Sequence, residues 1–129
     1  MYSTLLFWLA FGATVALLVV SLVSGFLRKR RLHLVTGPLT MVGLVFAVIE
    51  TEALMRKYTF PREALDTHLI FAKAGGLLAL PVIVTGLWLL KRPQARLYHR
   101  IAIWVWLLAV LAATGTGLWI FGLATPKDG

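Results

Sequence analysis

HLIFAKAGGLLALPVIVTGLW, residues 68–88, carries a single formal charge, Lys73, in twenty-one positions. A helix of that length rises about 30 Å, the thickness of a bilayer's hydrocarbon core. Lipid cannot satisfy backbone N–H and C=O groups, so an oily run this long reads as a membrane-spanning helix. Working outward, similar runs cover residues 4–27, 32–55, 67–90 and 99–123. The first lacks a basic leading region and is long for a signal peptide, so it is read as a span.

Composition agrees. Sixty per cent of the 129 residues are hydrophobic, and mean hydropathy is +0.86, whereas soluble domains are nearer half apolar. The connections are short, which makes neighbouring spans antiparallel. The expected fold is all-α: an integral-membrane, up-down-up-down four-helix bundle, with residues 1–129 as one transmembrane domain. Cysteine is absent, which excludes disulfides, thiolate ligands and iron–sulfur clusters. Pro38 falls early in span two, where a missing donor costs little, and Pro81 lies mid-way through span three, where a kink is expected.

The net charge of +8 is concentrated in the connections. Residues 28–31 read RKRR and residues 91–100 read KRPQARLYHR, while the middle connection mixes Arg56, Lys57 and Arg62 with Glu63 and Asp66. The positive-inside rule then puts the two basic connections in the cytoplasm and both termini outside, in a bacterial-type inner membrane. Juxtamembrane clustering accounts for the basic balance, and no nucleic-acid partner is expected. The lipid bilayer is the first partner implied.

Residues 68–88 have a counterpart. Residues 99–119 read HRIAIWVWLLAVLAATGTGLW, so His68 and His99 are each followed, at the same spacing, by Thr-Gly-Leu-Trp. Seventeen helical residues rise about 25 Å. In antiparallel spans, Thr85-Gly86 therefore falls level with His99 and His33, and Thr116-Gly117 level with His68. All three histidines open a span. A histidine at a helix start is commonly an ordinary interfacial residue, but His33 and His99 enter from diagonal spans at one depth. Two such imidazoles can ligate a b-type haem in a bundle core. Arg31, Arg96 and Arg100 would pair with the propionates, and Gly86 and Gly117 would let a porphyrin approach the helix backbone.

His68 is the third candidate ligand. Its level offers no second histidine, and Met55 is the nearest methionine, so one haem is better supported than two. Glu50 and Lys73 lie a turn or so inside their spans, where charges are costly unless paired. With His68 they form an expected polar cluster, either a structural ion pair or the lining of a proton or quinone path. Gly12 with Ala16, the pair Gly75 and Gly76, and Ala109, Ala113 and Gly117 have the spacing of close helix contacts. Trp104 and Trp106 lie deep in span four and could face lipid or the core.

Over residues 28–122 the chain resembles the small four-helix membrane proteins of the CtaM/YozB type. The carriers are RLHL with His33, THLIFA with His68, and HRIAIWVWLLAVLAATGTGLWIF with His99. The resemblance implies a layout similar to half of a haem A synthase, and haem handling or electron transfer around maturation of haem–copper oxidases. The chain departs from that pattern after the second span, where VIETEALMRKYTFP has no histidine.

The leading expectation is a haem-b-binding membrane protein beside a respiratory or other redox complex, with further membrane subunits as partners and no independent enzymatic activity. The alternatives are a cofactor-free accessory subunit of a larger membrane complex and a quinone-reactive subunit.

Overall fold

A computed structural model describes residues 2–127. Four helices dominate it: α1 (Tyr2–Phe26), α2 (Arg30–Met55), α3 (Arg62–Lys91) and α4 (Arg96–Gly122). A 3₁₀ turn, Pro93–Ala95, leads into α4, and two two-residue strands, β1 (Tyr58–Thr59) and β2 (Thr125–Pro126), complete the described elements. All four helices are long and apolar enough to cross a membrane.

The helix ends follow local chemistry. At the end of α1 the Lys29 N–H donates to the Ser24 carbonyl at 2.8 Å and the Arg28 N–H to Gly25 at 3.2 Å. This closing turn puts Arg28 in the left-handed region, φ 58°, where glycine is normally preferred. Helix α3 begins at Arg62 rather than at the oily boundary near residue 67, because Pro61, with ψ 131°, stops the extended connection just before it. The polar residues 62–66 then make the first turn, with Glu63 near the positive end of the helix dipole. The helix continues through Pro81 to Lys91.

The chain divides into two compact units, one built on α1 and α2 and the other on α3 and α4 (Thr59–Pro126). Each is a helix hairpin. In the first, Gly25 faces His33, Gly37 faces Ser21 and Gly43 faces Thr14. Partner numbers that fall as the glycine numbers rise mean that α1 and α2 run antiparallel. In the second, Gly75 faces Val110, Gly86 faces His99 and Gly117 faces His68, a constant antiparallel register along the whole pair. Its two ends are closed by aromatic pairs: Trp88 stacks on Tyr98 with ring centroids 5.5 Å apart, and Phe60 meets Phe121 edge-on at 5.3 Å.

Small residues do much of the packing, though not everywhere their spacing suggests. Gly75, Ala79 and Ala109 are buried. A Cβ on Gly12 or Gly76 would meet nothing within 4 Å, and Ala16 is exposed. Trp106 points inward, 2 % exposed, whereas Trp104 is 59 % exposed. The outward faces are apolar, with Leu77, Leu108 and Leu118 among the exposed side chains, as suits helices surrounded by hydrocarbon. Buried hydroxyls cost little there because the helix satisfies them. Thr14, Thr36 and Thr40 each donate to the carbonyl four residues back, at 2.7–2.8 Å.

Candidate functional site: three histidine seats

Each histidine packs against a glycine of the other helix in its hairpin. A Cβ on Gly117 would stand 3.2 Å from His68 Cε1, and one on Gly86 would stand 3.1 Å from His99 Cε1. At Gly25 it would stand 3.0 Å from both Cε1 and Nδ1 of His33. The space that any other side chain would fill is thus filled by an imidazole. Glycine's missing Cβ serves the histidine first, by letting the ring lie on the partner backbone.

Each ring is also held through Nδ1. His68 Nδ1 is 2.9 Å from Thr116 Oγ1, and His99 Nδ1 is 2.9 Å from Thr85 Oγ1. His33 Nδ1 is 2.8 Å from the Ser21 carbonyl, one turn before Gly25, with the Ser21 hydroxyl at 3.4 Å. A single design is therefore repeated: imidazole, helical glycine, and an oxygen acceptor within one turn of that glycine.

The sequence repeat becomes a reciprocal arrangement in the α3–α4 hairpin. Helix α3 offers His68 to Thr116-Gly117 of α4, and α4 offers His99 to Thr85-Gly86 of α3. The seats lie at opposite ends, roughly 25 Å apart along the helices. His68 is buried, with 8 % of its surface exposed, and His33 and His99 are half-buried.

The α1–α2 seat carries no sequence signature, because its partners, Ser21 and Gly25 in SLVSG, lack the Thr-Gly pair. Antiparallel pairing across the basic connection was the available signal: it sets Gly25 opposite His33.

Other expected site residues fall as follows. Arg31, Arg96 and Arg100 are exposed near the connections, Arg31 in the first unit and Arg96 and Arg100 in the second. Glu50 lines an apolar groove of about 350 Å³ between α1 and α2, with Leu9, Ala13, Thr14, Gly43 and Phe46 among its neighbours. Lys73 is exposed on α3, in the other unit. The buried Trp106 indole Nε1 has no hydrogen-bond partner among the described residues.

No family model, curated protein or solved structure matches the chain.

Among the described residues there is no group of three or more His, Asp or Glu side chains suited to a bare metal ion. The donor set is of a different kind: separate imidazoles, each locked by a hydrogen bond at Nδ1.

Proposed function

We propose that this is a haem-b-binding integral membrane protein, with His33 and His99 as axial ligands, serving electron transfer or haem handling beside a membrane redox complex. The observation that carries the reading is the shared seat. An imidazole meant for ligation must be held in one orientation, with its second nitrogen hydrogen-bonded. His33 and His99 both meet that requirement, through Ser21 and Thr85. An interfacial histidine with no binding role needs neither a glycine cut away for its ring nor an acceptor aimed at Nδ1.

In this reading the four spans form an up-down-up-down bundle in a bacterial-type inner membrane, with both termini outside. The haem supplies one-electron chemistry. The chain's own residues do the rest. Gly25 and Gly86 let the rings approach, Ser21 and Thr85 orient them, and Arg31, Arg96 and Arg100 neutralise the propionates at the polar edge. The apolar outer faces exclude water and meet lipid or neighbouring subunits. The reading accords with the resemblance to proteins of the CtaM/YozB type.

The test is a reduced-minus-oxidised absorbance spectrum of protein purified after haem-supplemented expression. A b-type difference spectrum is expected, lost in His99→Ala and in His33→Ala. A wild-type protein with no Soret band, or a His99→Ala spectrum identical to wild type, overturns the reading.

A further inference from the structure

The two threonine hydroxyls at the seats have a single hydrogen each, and its place is fixed. Thr116 Oγ1 lies 2.8 Å from the Ala112 carbonyl, and Thr85 Oγ1 lies 2.6 Å from the Pro81 carbonyl. A carbonyl oxygen only accepts, so both hydroxyl hydrogens are committed to their own helix. What each threonine turns toward the ring, at 2.9 Å, is an oxygen lone pair. The third seat makes the point through a main-chain oxygen: His33 Nδ1 is 2.8 Å from the Ser21 carbonyl, closer than the Ser21 hydroxyl at 3.4 Å, and only an Nδ1–H can bond to a carbonyl. Ser24 donates its own hydroxyl to that same carbonyl at 3.0 Å, which fixes the acceptor in place.

We propose that the three seats share one function: they hold each neutral imidazole as its Nδ1–H form, so that Nε2 is the nitrogen bearing the lone pair at every site. Thr85 and Thr116 are positioning residues acting through their acceptor oxygens, and the Ser21 carbonyl is their counterpart in the α1–α2 hairpin. The assignment covers His68 on the same footing as His33 and His99, which gives the far end of the α3–α4 hairpin a third ligand-ready ring. What Nε2 is for rests on the haem reading, whereas the tautomer itself does not. A histidine side chain free in water favours the opposite, Nε2–H form, so the seats must work against the ring's own preference.

The experiment uses the full chain, with ¹⁵N-labelled histidine and any purification tag removed, in detergent micelles at alkaline pH and without haem. Imidazole ¹⁵N shifts are assigned by single His→Gln variants. All three rings are expected with Nδ1 protonated and Nε2 carrying no proton. Thr85→Val and Thr116→Val are each expected to lower the Nδ1–H to Nε2–H ratio of the facing ring about fivefold, the worth of one net hydrogen bond. Thr→Ser at either position restores it.

Wild-type rings in the Nε2–H form, or in rapid exchange between the two forms, overturn the proposal. Valine variants with unchanged ratios overturn the role of the hydroxyls. In haem-loaded protein, Thr85→Val should raise the reduction potential, because an imidazole that has lost its Nδ1–H acceptor is a weaker donor to ferric iron; Thr85→Ser should return it. The tautomers are read before haem is added. A protein that never binds haem therefore removes the functional reading alone, while one that binds haem with the wrong tautomers removes this inference alone.

Discussion

Gly115 and Gly117 stand two residues apart in the same helix, yet alanine should affect them in opposite directions. Replacing an interior helical glycine by alanine gains about 1 kcal/mol through backbone entropy alone. At position 115 a new Cβ meets nothing within 4 Å, so Gly115→Ala should show that gain undiminished. At position 117 the Cβ arrives 3.2 Å from His68 Cε1 and 3.6 Å from Nδ1. Carbon atoms rest comfortably at about 3.5–4.0 Å, so the ring must retreat by about 0.3–0.8 Å. It cannot do so alone, because Nδ1 is tied to Thr116 at 2.9 Å and the side chain is buried. Overpacking of this kind costs about 1–3 kcal/mol, and a stretched hydrogen bond adds up to about 1 kcal/mol. Gly117→Ala should therefore fall about 1–4 kcal/mol below Gly115→Ala, measured by equilibrium unfolding in mixed micelles. The comparison cancels propensity, since both sites lie inside α4. Equal stabilities would refute the claim that Gly117 exists to admit the imidazole.

Two further substitutions probe the first hairpin. Gly43→Ala would place a Cβ 2.7 Å from Thr14 Oγ1, forcing the hydroxyl off its 2.7 Å bond to the Ala10 carbonyl. A loss of about 1–3 kcal/mol is expected, absent in Gly12→Ala and largely recovered when Thr14→Ala is added; thermal unfolding of the four proteins decides it. Arg28→Gly should stabilise the chain by about 1 kcal/mol, because Arg28 holds φ 58° at a cost glycine does not bear. Arg28→Ala, equally strained, should give no gain in the same unfolding assay.

The four helices were legible because runs this long and apolar read as membrane spans, and hydrocarbon would leave their backbone no alternative to the helix. Their ends were less so: hydropathy marks where oil stops, not where hydrogen bonding stops, and α3 starts five residues ahead of its oily run, at Arg62 after Pro61. The repeat was legible as depth. Equal spacing from histidine to Thr-Gly on antiparallel helices sets each ring opposite a glycine, and His68 with Gly117 and His99 with Gly86 meet as that spacing requires. It could not show that the imidazole itself fills the gap, since that depends on helix rotation. His33 shows the limit of motif reading. Its seat uses a main-chain carbonyl at Ser21, and a carbonyl is present at every residue, so sequence does not single one out. Glycine spacing was similarly permissive: Gly12 has the spacing of a contact residue and meets no side chain, whereas Gly43, not singled out by spacing, lies tight against Thr14.

The reciprocal exchange in the α3–α4 hairpin has a consequence for insertion. Turned end over end, the hairpin would present the same sequence of features: an imidazole on one helix above a Thr-Gly on the other, at both faces of a bilayer. Its chemistry is thus indifferent to which way it enters. Direction must be written elsewhere, in the cations from Lys91 to Arg100 that lie at one end only. Neutralising those four positions would erase the hairpin's own direction signal without moving an imidazole out of register with its glycine, and would leave orientation to the cluster from Arg28 to Arg31, a change that a test of folding would not see and a test of topology would.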